Sequence, residues 1–375
     1  MLFAPTAQDL REITAMAADL DMPLPRTIPL NLPVLLDRLV PKRMDKMTRL
    51  LAWATRLLNC DAILCAERTS TILKRLPGAC PKLIHIPHGA GDRAAGFESR
   101  FRLFDMVLVA GTKDRNRLIA EGVTTADTCA VAGPIKVASL IDAHKRRSPL
   151  FANDRPVLLY NPHFRRPLSS AEAFVRPLVD AVMQDGRYNL IIAPHIRMAK
   201  GWTRQQRADW QALAVPDRVL VDLGSSRSVD MTYTLGADLY IGDVSSQVYE
   251  FLVHPRPCLF VNAHNADWVG NEDYAMWQFG EVVTPDCDIP AAIDGALRGH
   301  DLFRPVQTAR ARAALDGLDW DETGMPVFTG QHPIKRAADL IESCMGQLSP
   351  PPPPPPPPSG EMETVDEREL QATFN

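Results

Sequence analysis

The sequence predicts an α/β protein of two doubly wound halves facing a cleft, followed by a proline-rich tail without fixed structure. Three observations lead there. Short apolar runs rich in β-branched residues recur with helical segments between them, as parallel strands buried on both faces require. The alternation lapses into the polar, basic stretch "IDAHKRRSPLFANDR" (Ile141–Arg155) and then restarts. The chemically distinctive residues gather just after strands, where open α/β sheets bind ligands.

Taken in order, Met1–Pro5 reads as a short strand and "AQDLREITAMAADL" as a helix. The proline-rich Met22–Leu32 reads as a loop. "DKMTRLLAWATRLLNC" reads as one helix with Met47, Leu51, Ala54 and Leu58 on a common face. Strands follow at "DAILCA", "KLIHIP", "MVLVAG" and "CAVAG", with the helix "KDRNRLIAEG" between the last two. After the lapse come "PVLLYN", a helix around Ala171–Met183, "NLIIAP", a helix around Arg204–Leu213, "VLVDL", "LYIG", "PCLFVN" and "EVV". The expected units are residues 1–148, residues 149–330, a helix in 331–348 returning to the first half, and a tail over 349–375. Nine consecutive prolines, Pro350–Pro358, open that tail. They predict a polyproline II rod of about 28 Å, a spacer more than a docking motif, ahead of a disordered acidic end.

A chain of 375 residues is long enough for two domains. Its 41 basic and 45 acidic residues leave a net charge of −4, which argues against a general nucleic-acid binder. The seven cysteines form no CxxC pair and no disulfide framework, so they read as small core residues in a reducing compartment. Nothing at the N-terminus reads as a signal peptide, and no run has the length of a membrane span. The expected location is cytoplasmic, with peripheral attachment at the inner face of the membrane left open.

Four successive strand ends carry the candidate site. After "KLIHIP" comes "HGAGDRAAGF", with His88, Gly89 and Arg93. After "PVLLYN" comes "PHFRRP", with His163, Arg165 and Arg166. After "NLIIA" comes "PHIR", with His195 and Arg197. After "LYI" comes "GDVSSQ", with Asp243, Ser245, Ser246 and Gln247, and then Glu250 on the following helix. Small polar residues at a helix start present free N–H groups to an anion. Plain capping is the competing explanation of that turn. Glycines around His88 permit close approach of a ligand, and arginine suits bidentate contact with phosphate. Glu250 either reaches a ribose hydroxyl or faces solvent. Together the four strand ends favour an anionic, phosphorylated ligand. His85-x-x-His88 lacks a third ligand at zinc spacing, so no metal is expected. The chain has no GxGxxG, no GxxxxGK[ST] and no GxSxG, which argues against dinucleotide, P-loop and α/β-hydrolase chemistry.

On these residues the chain resembles the CDP-glycerol glycerophosphotransferase family, enzymes that build glycerol-phosphate polymers of teichoic-acid and capsule type. "HIPHGAGDRAAGF" matches the family's strand followed by His-Gly, and "LLYNPHFRR" the motif opening its second domain. "IIAPHIR" matches a His-Pro turn in reversed order. "GDVSSQVYEFLVHPRPCLFVN" matches Thr-Asp-Tyr-Ser-Ser, a helix, and Arg-Pro before a strand. The resemblance covers about residues 80–265. Gly242 stands for the family's threonine, Val244 for its tyrosine, and His163-Phe164 for Thr-Trp.

The resemblance implies the GT-B fold, two Rossmann-like domains with the acceptor on the first and a CDP-activated donor on the second. It implies that His88 is the base deprotonating an acceptor hydroxyl and that His195 assists at the phosphate. Ser245, Ser246, Arg165, Asp243 and Gln247 would hold the donor diphosphate, with Gly89, Arg93, Arg197 and Glu250 elsewhere in the cleft. No cofactor is implied beyond the donor itself. The acceptor would be a cell-surface glycan or a lipid-linked hydroxyl. Residues 41–58, with Lys42, Arg43, Lys46, Arg49, Arg56 and Trp53, would be a basic membrane-surface helix, unless they pack on the first sheet with a charged outer face. The same fold also serves nucleotide-sugar glycosyltransferases and a UDP-N-acetylglucosamine 2-epimerase, and a non-catalytic nucleotide-binding module is a third reading.

Overall fold

A computed structural model of the chain describes residues 1–19, 21–41, 44–78, 80–86, 89, 99–144 and 149–346. The tail from 347 lies outside them. The first elements are β1 (Leu2–Ala4), α1 (Ala7–Asp19), β2 (Thr27–Pro29) and α2 (Val34–Leu39). Then come α3 (Asp45–Ala52), α4 (Ala54–Leu58), β3 (Ala62–Cys65), β4 (Lys82–His85) and β5 (Met106–Val109). The first half closes with α5 (Thr112–Ala120), β6 (Cys129–Val131) and α6 (Ile135–His144). β3, β4, β5 and β6 pair in that order as a parallel four-stranded sheet.

The second half starts with β7 (Val157–Asn161), α7 (Ala171–Asp185), β8 (Asn189–Ile192), α8 (Arg204–Gln211), β9 (Val219–Val221) and α9 (Thr232–Gly236). It continues through β10 (Leu239–Gly242), α10 (Gln247–Phe251), β11 (Cys258–Val261) and β12 (Glu281–Val283). Its six parallel strands run in the order β12-β11-β10-β7-β8-β9. The chain lays down β7, β8 and β9 outward in one direction, then returns to the other side of β7 for β10. Such a reversal opens a crevice at the carboxyl ends of the two strands that flank it, here β7 and β10. α11 (Ile289–Arg298), α12 (His300–Ala314), the hairpin β13 (Leu318–Trp320) and β14 (Pro326–Phe328), and α13 (Pro333–Cys344) complete the described chain.

Strand alternation builds the core. Leu159, Ile191, Tyr240 and Phe260 face one side of the large sheet, and Leu158, Tyr160, Leu190, Ile192, Leu239 and Ile241 the other. Each large side chain so buried contributes about 1.5–3 kcal/mol. The first of these layers also takes in Ala110, Val137, Leu140 and Ile141 from the first half. One apolar layer therefore joins the halves. α13 packs Ala337, Leu340 and Ile341 on the small sheet beside Ile84 and Leu108.

Several local expectations are corrected. The loop expected over Met22–Leu32 contains β2, which pairs in parallel with β1 because Thr27–Pro29 is extended and needs only one partner. The single helix expected over residues 45–60 is two short helices broken at Trp53, where the backbone leaves helical geometry. The expected face is only partly buried: Leu51 is exposed and Met47, Ala54 and Leu58 are half-buried, whereas Arg49 and Leu57 are buried. Arg49 pairs with Asp37 and Asp45 and donates to the Leu30 carbonyl. Lys46 pairs with Glu67. Within the segment 41–58, Arg49 and Lys46 are thus engaged by carboxylates of the protein, and Arg56 stays exposed. Lys42 and Arg43 lie outside the described residues. The exposed aliphatic surface here is on α2, where Val34, Leu35 and Leu39 are about 70% exposed while Asp37 pairs with Arg49. Among the described residues, no helix is long and apolar enough to cross a membrane.

Candidate functional site

The reversal in strand order brings the ends of β7, β8 and β10 together, and hydrogen bonds fix them there. Asn161, the last residue of β7, donates to the Ala193 carbonyl beyond β8 at 2.7 Å and accepts from the Tyr240 hydroxyl of β10 at 3.1 Å. Asp243, just past β10, accepts from the His163 amide at 2.8 Å and from the Ser170 amide at 2.8 Å. It also accepts from the Val244 amide and the Ser170 hydroxyl. Its own carbonyl accepts from the Trp277 indole at 2.8 Å.

Asp243, expected on the donor phosphate, is buried, and four donors from the protein occupy its two oxygens. A carboxylate so placed organises the turn and would repel a phosphate. Burial pushes it up to about 6, against the pull of those hydrogen bonds. Gln247 is also committed: its side-chain amide donates to the Ser228 carbonyl at 2.8 Å. The helix after the Ser-Ser turn spans only Gln247–Phe251, so its dipole is small. Ser245 is buried and its hydroxyl accepts from the Gln247 amide at 3.3 Å. Ser246 is exposed at the helix start and makes no side-chain cap bond, which leaves its hydroxyl uncommitted.

Beside this turn stands a cluster of imidazole, aromatic ring and guanidinium. The Phe164 ring lies 4.5 Å from His163 and 4.7 Å from His195, centroid to centroid. The Arg197 guanidinium lies 4.5 Å over the same ring, and that of Arg165 lies 5.8 Å from it. Each histidine accepts, through Nδ1, from the amide two residues on, Arg165 and Arg197 respectively, at 3.1 Å. Burial, and the charge of Arg197, lower His195 below its ordinary range, so it is neutral at pH 7. With Nδ1 accepting, the proton sits on Nε2, and His195 is a hydrogen-bond donor at that atom. Arg165 and Arg197 are exposed, and neither forms an ion pair among the described residues. Arg166 is turned outward to Glu172.

The first half faces this arrangement with a second feature. Lys136, in the first turn of α6, pairs with Glu250 of α10 at 2.5 Å, an ion pair between the halves. Both line a cavity of about 190 Å³ at the carboxyl ends of β4, β5 and β6, which also includes Gly89. Burial raises Glu250, and Lys136 draws it back down. His88 and Arg93 lie outside the described residues. Lys136 was not among the expected residues. Its signal was legible in "CAVAGPIK", a strand followed by Gly-Pro and a cation, at a strand end like the other four.

Arg256 of the Arg-Pro motif is structural. Half-buried between α9 and α10, it donates to the carbonyls of Thr234, Leu235, Ala237, Phe251 and His254 at the ends of the two helices.

No known family profile matches the chain, and no curated protein sequence does. Solved structures match in fold. A Listeria monocytogenes protein described as a candidate UDP-N-acetylglucosamine 2-epimerase aligns at TM-score 0.62 and 14% identity, over 93% of this chain and 89% of that one. The wall teichoic acid polymerase TagF soaked with CDPG aligns at 0.57 and 11%, over 93% and 89%. The UDP-GlcNAc 2-epimerase of Neisseria meningitidis bound to UDP-GlcNAc aligns at 0.54 and 12%, over 91% and 90%. The chain has the GT-B fold, an α/β architecture with parallel sheets in two halves.

Proposed function

We propose that this protein is a transferase that moves glycerol phosphate, or a related polyol phosphate, from a CDP-activated donor to a hydroxyl of a cell-surface glycan or lipid-linked acceptor. The carrying observation is the pair of exposed arginines without carboxylate partners, Arg165 and Arg197, held on Phe164 beside the neutral His195 and the uncommitted Ser246 hydroxyl. Two cations, one imidazole N–H and one hydroxyl at the carboxyl ends of β7, β8 and β10 suit a diphosphate. The motif resemblance and the likeness to TagF soaked with CDPG support the cytidine donor.

In this reading the acceptor oxygen attacks the donor's β-phosphorus. The new O–P bond forms as the bond to the departing cytidine monophosphate breaks. The acceptor proton passes to a base, for which His88 is the candidate. Arg165, Arg197 and His195 Nε2–H offset the charge spreading over the phosphoryl oxygens and the leaving group. Such a step needs positioning and electrostatic stabilisation more than covalent help.

A second reading, a nucleotide-sugar glycosyltransferase or 2-epimerase, is favoured by the alignment at TM-score 0.62 with the Listeria protein. Thermal melting against CDP-glycerol, CDP, CMP, UDP, UDP-sugars and GDP separates the two. A ligand at 100 times its Kd adds about 2.7 kcal/mol of stability. The transferase reading expects the largest shift with CDP-glycerol, lost in Arg197→Ala. A shift confined to uridine compounds would replace it with the second reading. Silence across the panel would leave a scaffold that binds no such nucleotide.

A further inference from the structure

α2 shows its aliphatic side chains to solvent. Val34 is 71% exposed, Leu35 73%, Leu39 70% and Leu36 40%, and no residue of the helix is buried. Asp37, its one acid, is held against the protein by Arg49. The helix is nonetheless rooted. Leu30 and Leu32 just before it are buried, the Leu30 carbonyl accepts from Arg49, and the Asn31 carbonyl accepts from the Trp53 indole. Single exposed leucines are ordinary, but four aliphatic side chains on one short helix with none buried mark a contact surface.

Charge and size say what covers it. Among the described residues, 26–58 hold five basic residues, Arg26, Arg38, Lys46, Arg49 and Arg56, and two acidic ones, Asp37 and Asp45. The whole chain, by contrast, carries a net charge of −4. Arg49 engages both of those acids, while Arg26, Arg38 and Arg56 are exposed. Aliphatic side chains beside exposed cations match an anionic lipid surface, which takes the first into its acyl boundary and the second at its headgroups. The core of a protein interface favours aromatic residues, and a stable one needs roughly 800 Å² per partner. Six residues make a helix about 9 Å long, too short to supply that area.

We propose that α2 is a membrane-contact element whose aliphatic side chains enter the surface of a bilayer rich in anionic lipid, with Arg38 and the exposed arginines around it at the headgroups. The contact lies on α2 and not on the helices of residues 41–58, where Lys46 and Arg49 are engaged by carboxylates. It does not require a nucleotide site; resting on the transferase reading, it also selects a lipid-linked acceptor over a soluble glycan.

Co-sedimentation of the full chain with vesicles is the test, using phosphatidylcholine alone and phosphatidylcholine mixed equally with phosphatidylglycerol. Wild-type protein should pellet with the anionic vesicles and far less with the neutral ones. The triple variant Val34→Gln/Leu35→Gln/Leu39→Gln should bind them on the order of tenfold more weakly or less, since interfacial binding scales with apolar area. Its melting temperature should stay at the wild-type value, because none of the three is buried and glutamine is a good helix former. Arg38→Gln should weaken binding about fivefold at low salt. That difference should vanish near 1 M salt, where the screening length falls to about 3 Å. No pelleting of wild type with anionic vesicles, or pelleting of the triple variant equal to wild type, would overturn the proposal. So would a dimer in sedimentation velocity that the triple variant dissolves while neither protein binds vesicles, which would assign α2 to a second copy. CDP melting shifts are read on the same proteins without vesicles and should be equal in wild type and triple variant. Vesicle binding without a nucleotide shift keeps this surface and sinks the transferase reading. A nucleotide shift without vesicle binding does the reverse.

Discussion

Gly242 shows how a single position adjusts to its neighbour. The family resemblance places threonine there, but a β-carbon at 242 would lie 2.7 Å from the ring and hydroxyl of Tyr240, two residues back on the same face of β10. The Tyr240 hydroxyl in turn holds Asn161. Gly242→Thr should therefore cost about 1–3 kcal/mol by overpacking. Combined with Tyr240→Val, it should cost less than the sum of the two single changes, as urea denaturation of the four proteins would show. Asp243 carries a pH signature. Its carboxyl sits at about 6 in the fold against 3.8 ordinarily, so the protonated form is favoured on folding. That contribution, about 3 kcal/mol by linkage, is complete below pH 3.8 and lost as pH rises through 6. Asp243→Asn should abolish this part of the pH dependence. It should also cost about 2–4 kcal/mol at every pH, because an amide offers one accepting oxygen where four donors meet two. Chemical denaturation from pH 4 to 7 reads both effects, and a slope equal to wild type would refute the first.

At the scale of elements, Arg256 ties the ends of α9 and α10 before the chain enters β11. Five carbonyls accept from its guanidinium, and burial lowers the group to about 10, still charged at pH 7. A lysine has three donors on one nitrogen and cannot reach carbonyls spread around a planar fork. Arg256→Lys should cost about 2–5 kcal/mol and raise amide exchange in both helix ends, where hydrogen exchange would detect it. The strand ends behave differently. Their polar residues divide between those that hold the turn, Asn161, Asp243 and Gln247, and those with uncommitted groups, Arg165, Arg197 and Ser246. The strand-end pattern in the sequence finds both kinds and cannot separate them, because only burial and hydrogen bonding distinguish an inward carboxylate from an outward hydroxyl.

Across the whole molecule, α5 and α6 hold the halves together. A β-carbon on Gly111, before α5, would lie 2.2 Å from the Ala313 carbonyl and 2.4 Å from the Ala314 backbone in α12. Arg117 of α5 reaches Asp273 at 3.6 Å, and Lys136 meets Glu250 across the cavity. Gly111→Ala meets main chain that cannot rotate aside. It should lower stability by about 1–3 kcal/mol or force the halves apart, so a lower melting temperature and a larger radius of gyration by X-ray scattering are expected together. Unchanged values of both would show that the close approach is relaxed in solution.

Strand periodicity, the break near residue 150 and polar residues at strand ends are local properties, and strand periodicity sufficed for the fold class. Ten parallel strands stand where apolar runs placed them. The helix α2 with its aliphatic residues outward, the kink at Trp53 and the strand β2 were not legible, since each depends on a distant partner: Arg49 for Asp37, Asn31 for the Trp53 indole, β1 for β2. The order β12-β11-β10-β7-β8-β9 decided which strand ends meet, and hence that Asp243 turns inward to His163 and Ser170. The pairing of Lys136 with Glu250, 114 residues apart in sequence, likewise exists only once the halves face each other. Side-chain identity set what each strand end offers, and tertiary packing set which of those groups the protein consumes itself and which it leaves uncommitted.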